Sequence, residues 1–222
     1  MIKFLYFAYG IYVLATETAA AAVGLATVRK SWPSWYRLLV IMCSATLVSE
    51  SYATYLYMHP SYERSTILYN FYLPIEAFII VYVLFRETTL TAARRLLITL
   101  LVVLPVVLII DYSSSPDIAK PHLYADIGCL LAELIASCTI LIDTLQDTSG
   151  RSLHASPKFW LAMGILVSSC SFTLILAARH FMLGNPKVMD YYMPFSFVAN
   201  TCMYGGIIKC FLLLKKEGGV RP

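Results

Sequence analysis

Hydrophobic and polar positions along the chain fall into seven long apolar runs, separated by short polar or proline-bearing stretches. The runs lie at about Phe4 to Val28, Leu38 to Met58, Ile67 to Phe85, Leu96 to Ile110, Leu123 to Leu145, Phe159 to His180 and Met193 to Leu214. A helix of about 20 apolar residues crosses a bilayer, so the pattern predicts an all-α bundle of seven transmembrane helices forming one domain over residues 1–222. The fourth run is the shortest and suffices where the membrane is locally thin; Pro105 predicts a kink in it. Lys3 ahead of the first run and the small residues from Ala19 have some features of a cleavable leader. The run nevertheless continues to Val28 with Glu17 in its middle, which suits a retained span.

The third run is the least expected on its pattern alone. Asn70, Pro74 and Glu76 stand in its first half, where lipid offers none of them a partner. Three other runs carry carboxylates as well: Glu17 in the first, Glu50 in the second, and Asp126 and Glu133 in the fifth. A carboxylate at the centre of a spanning helix costs about 2.5–3.5 kcal/mol on insertion scales, so several of them require a shared polar interior.

Composition agrees with a membrane protein. Hydrophobic residues make up 59% and charged residues 14% of the 222, against roughly 25% charged in soluble domains. Net charge is only +4, and the cations gather at segment ends, as at Arg29-Lys30, Arg94-Arg95, Arg151 and Lys215-Lys216. That distribution predicts an outer N-terminus and a cytoplasmic C-terminus, and it leaves no basic face for nucleic acid. His59-Pro60 ends the second run and Gly184-Asn185-Pro186 turns between the sixth and seventh. Tyr112 to His122, with two prolines and three serines, reads as an exposed loop.

Candidate chemistry narrows quickly. The six cysteines sit inside apolar runs without a CxxC pair, so they read as packing residues and no metal site is expected. The four histidines stand at segment ends, unlike the axial ligands of a b-type haem. Neither HExxH nor GxSxG occurs, and Lys209 lies too near the inner end of the seventh run for a retinal Schiff base. What remains is a polar core: Glu17, Glu50, Glu76, Glu133 and Asn200, with Tyr69, Asn70 and Tyr72 within two turns of Glu76 as further lining. Such a core suits a ligand or ion site, or else hydrogen bonds that fix helix register.

Three stretches carry a resemblance: Leu68-Tyr69-Asn70-Phe71-Tyr72-Leu73-Pro74-Ile75-Glu76, Pro157-Lys158-Phe159-Trp160-Leu161-Ala162-Met163-Gly164-Ile165-Leu166 and Asn200-Thr201-Cys202-Met203-Tyr204. In these, and in the order and length of its segments, the chain resembles a group of small seven-helix membrane proteins common in Bacteroidota. The resemblance implies the architecture and a bacterial inner membrane; it implies no activity or cofactor. The expectation for function is a membrane sensor or signalling component whose core binds a ligand or ion and reports to a separate partner protein. An enzyme or carrier acting on a lipid or small solute is the alternative, and a structural subunit of a membrane complex the third.

Overall fold

The computed structural model describes residues 2–30, 32–57, 63–146, 152–181 and 188–216. His59-Pro60, Arg151 and the Gly184-Asn185-Pro186 turn lie outside the described residues. The described chain consists of α1 (Ile2–Thr27), α2 (Ser34–Tyr57), α3 (Glu63–Glu87), α4 (Thr91–Ser114), α5 (Leu123–Leu145), a 3₁₀ turn at Leu153–Ala155, α6 (Pro157–Phe181) and α7 (Val188–Lys216). All seven α-helices are long and apolar enough to cross a membrane.

Their packing order is a closed ring with one helix outside it. α1 packs on α2, α2 on α3, α3 on α5, α5 on α6, α6 on α7, and α7 returns to α1. α4 lies outside, in the groove between α3 and α5. Of α4, only Ala93, Leu97, Leu104 and Asp111 are buried, while Val102, Val103, Val106, Ile109 and Ile110 are exposed. Exposed Ile41, Val48, Ile75, Leu174 and Phe195 continue that apolar surface around the ring. In water such a surface would drive aggregation; against acyl chains it is matched to its solvent, so the seven helices describe an integral membrane protein in contact with a bilayer.

Two features of the sequence pattern change in the fold. α4 is a helix of 24 residues, well beyond the short run Leu96 to Ile110, because both polar ends are satisfied by neighbours and continue as helix. Asp143 of α5 takes the N–H groups at its start, and Asp111 at its far end accepts from the Ala125 N–H at 2.9 Å. The connection to α5 is correspondingly shorter than Tyr112 to His122. Tyr112 belongs to α4, and His122 is buried at 2% exposure rather than lying in an exposed loop.

Where α6 meets α7, small residues set the distance. A Cβ on Gly164 would stand 2.6 Å from the Cys202 carbonyl oxygen, and one on Gly206 would stand 2.5 Å from that of Trp160. The two backbones touch directly there, as small-residue seams permit in membranes.

Candidate functional site

Each of the six ring helices contributes a polar side chain to the interior, and α4 contributes none there. Glu17 comes from α1, Thr46 and Glu50 from α2, Tyr72 and Glu76 from α3, Glu133 from α5, Ser169 from α6 and Tyr204 from α7. Glu17, Glu76 and Glu133 are buried, and Glu50 is half-buried.

Hydroxyls meet these carboxyls across helix boundaries. Tyr204 donates to Glu17 Oε1 at 3.3 Å, Tyr69 to Glu50 Oε2 at 2.8 Å, and Ser169 to Glu133 Oε2 at 2.8 Å. Tyr72, hydrogen-bonded to Thr46, also reaches Glu76 one turn along its own helix. The carboxyls are electrostatically connected: Glu17 interacts with Glu50 and Glu76, and Glu76 with Glu133 and Glu50. Glu17 Oε2 is buried with no hydrogen-bond partner.

Among the described residues, no cation answers them within the core. Among the described residues, the buried lysine or arginine is Lys158, which Asp143 holds at the end of the bundle. An acidic interior of this kind is neutralised by protons or by the positive group of a ligand. The carboxyls are strung across the ring, and among the described residues no three His, Cys, Asp or Glu side chains are grouped to hold a metal ion.

Asn70 and Asn200 go elsewhere. Asn70 Nδ2 donates to the carbonyls of Ile118 and Lys120, both at 2.8 Å, and so pins the α4–α5 connection to α3. Its own backbone carbonyl is the one that Pro74, four residues on, cannot reach with an N–H. The Tyr112 hydroxyl donates to that carbonyl instead, and its ring stacks on His122 at 4.0 Å. The three residues that made the third run anomalous are thus answered separately: the amide by a loop, the proline gap by a tyrosine and the carboxyl by Tyr72. Asn200 lies in the α1–α7 seam, donating to Tyr9 Oη at 3.2 Å and to the Ser196 carbonyl at 2.8 Å.

Removing the Tyr112 hydroxyl therefore exposes the cost of Pro74. Tyr112→Phe is expected to lose about 1–3 kcal/mol by stranding a buried carbonyl. Restoring the donor with Pro74→Ala should abolish most of that loss. Denaturant unfolding of the two single variants and the double variant measures the coupling, and additivity would show that the hydroxyl does not serve the proline gap.

The sequence pattern did not place Tyr204, Thr46 or Ser169 in the core, and it did not pair Asp143 with Lys158. For Tyr204 the signal was its place four residues after Asn200, on the same helical face. Lys209 is exposed and lies 5.8 Å from the centre of the Trp160 ring, outside the core. No protein-family profile, curated protein or solved structure matches the chain.

Proposed function

We propose that the protein is a membrane sensor or signalling component whose acidic core takes up an ion or a ligand and reports occupancy to a separate partner protein. The observation that carries this reading is the set of four connected carboxyls, drawn from α1, α2, α3 and α5, with no cation among them in the described residues. Neutralising such a set alters hydrogen bonds that cross three helix boundaries, α1–α7, α2–α3 and α5–α6, so occupancy is coupled to helix packing. The N-terminus is placed outside and the C-terminus in the cytoplasm of a bacterial inner membrane. Arg29-Lys30, Arg94-Arg95 and Lys215-Lys216 would then lie on the inner side, available to the partner.

Native mass spectrometry of the protein released gently from its own membrane tests the proposal. A stable complex with a second protein, weakened by Glu76→Gln, is the expected result. Tight association that ignores Glu76→Gln and Glu133→Gln would reduce the core to a register device in a structural subunit.

A second reading, a carrier or enzyme acting on a lipid or small solute, draws on one feature. A groove of about 310 Å³, lined by Ala8, Tyr9, Tyr12, Pro194 and Phe197, opens along the seam between α1 and α7. A lone protein retaining a specific lipid or small molecule in the same spectrum would favour this reading.

A further inference from the structure

Two helical stripes face each other along the seam between α1 and α7. On α7, Ser196, Asn200 and Tyr204 recur every four residues; on α1, Tyr9, Val13 and Glu17 do the same. Tyr9 and Ser196 are hydrogen-bonded at the end of the bundle that carries the N-terminus. Asn200 Nδ2 joins them, 3.2 Å from Tyr9 Oη, 2.8 Å from the Ser196 carbonyl and 3.4 Å from Ser196 Oγ. One turn further in, Tyr204 donates to Glu17 Oε1 at 3.3 Å. The line ends at Glu17 Oε2, a buried acceptor with no hydrogen-bond partner on a residue only 1% exposed.

We propose that Glu17 is the proton-binding residue of the core and that this seam is the route by which the proton reaches it. The inference rests on the reading of the core as an ion or ligand site and names the ion. The groups that face Glu17 are Cys43 and Glu50 on α2, Tyr72 and Glu76 on α3 and Tyr204 on α7. None of them carries positive charge, so none competes with a proton for the carboxylate, whose Oε1 meets Tyr204 and whose Oε2 is bare.

The transfer balances as a hydroxyl relay. A hydronium at the outer end gives its proton to the hydroxyl pair of Tyr9 and Ser196, which passes one of its own onward. Because Asn200 does not exchange a proton, the gap to be crossed runs from Ser196 to Tyr204, two helical turns or about 12 Å along the axis, and in the proposed route waters oriented by the Asn200 amide span it. Tyr204 takes that proton and releases its own to Glu17. One O–H bond is broken on the hydronium and one is formed on the carboxyl, leaving water outside and a neutral acid inside. Asn200 positions the relay and does not itself exchange the proton.

Infrared difference spectroscopy of the full chain in lipid nanodiscs after an acid jump tests both parts. One component of the carboxylic-acid carbonyl band should grow in the wild type and be missing in Glu17→Gln, over the signal that exposed carboxyls such as Asp117 give in both. Asn200→Leu and the doubly substituted Tyr9→Phe/Ser196→Ala, which keeps the tyrosine ring, should slow its growth on the order of tenfold without changing its final size. Wild-type rates in both variants would overturn the route. A band that survives Glu17→Gln and vanishes in Glu76→Gln or Glu133→Gln would overturn the assignment to Glu17 and leave the core reading standing. A wild type whose band has no component removed by Glu17→Gln, Glu76→Gln or Glu133→Gln would remove the proton as the ion, while the partner result by mass spectrometry would still decide the sensor reading.

Discussion

Asp143→Ala is expected to lower folding stability by about 3–5 kcal/mol, because it strips four partners at once and leaves a lysine charge buried alone. Asp143 Oδ1 accepts from the Thr89 hydroxyl at 2.7 Å and from the backbone N–H groups of Thr89 and Leu90 at 3.1 and 2.9 Å. Leu90 is the N-cap of α4 and makes no side-chain cap bond, and the carboxylate of another helix instead accepts the backbone N–H of this N-cap residue. Asp143 Oδ2 meets Lys158 Nζ at 3.0 Å, with both side chains almost wholly enclosed. One carboxylate thereby ties the α3–α4 turn to α5 and to the first turn of α6.

Lys158→Met should cost less than Asp143→Ala, since the capping bonds to Thr89 and Leu90 survive and only the ion pair is lost. The double variant Asp143→Ala/Lys158→Met should be more stable than Asp143→Ala alone, because no charge is left stranded. Reversible denaturant unfolding in mixed micelles, followed by tryptophan fluorescence, gives the three values. If Asp143→Ala and Lys158→Met prove equal, the cap on α4 contributes nothing and the residue acts through its charge alone.

The sequence pattern was a good guide to the fold because lipid demands long apolar runs, and each of the seven became a helix. It was a poorer guide where distant residues supply what a run lacks. α4 looked short because its ends are polar, and the partners that make them helical, Asp143 and the Ala125 N–H, lie on another helix. For the site, the carboxyls stood out because each is expensive in an apolar run. Their partners did not, since serine, threonine and tyrosine are ordinary membrane residues until a neighbour faces them. Asn70 and Asn200 looked equivalent to the carboxyls by the same test of polarity, yet one holds a loop and the other lines a seam. Lys158 was hidden for another reason: a cation at a helix start reads as a topology signal, and nothing nearby in sequence reveals the carboxylate 15 residues earlier that buries it.

Gly206→Leu should cost about 3 kcal/mol or more, at the upper end of what overpacking a core does. A Cβ at that position meets the Trp160 carbonyl oxygen at 2.5 Å and the Gly164 Cα at 3.0 Å, and both obstacles are backbone, so no side chain can turn aside. α6 and α7 must separate. Gly205 is the internal control: its Cβ would find nothing within 4 Å, so Gly205→Ala should be neutral or stabilise by up to about 1 kcal/mol through helix propensity. Gly206→Ala should destabilise in the same assay, and equal effects at 205 and 206 would mean that the seam is looser than its geometry. The separation also reaches the core. Tyr204 lies two residues before Gly206, and Ser169 five residues after Gly164; these carry the hydroxyls that hold Glu17 and Glu133. A wider seam draws both donors away from their carboxyls, so, on the proposed sensor reading, Gly206→Leu should also weaken the complex with a partner protein, while Gly205→Ala leaves it unchanged. Loss of stability with the complex intact would separate the glycine seam from whatever the core reports.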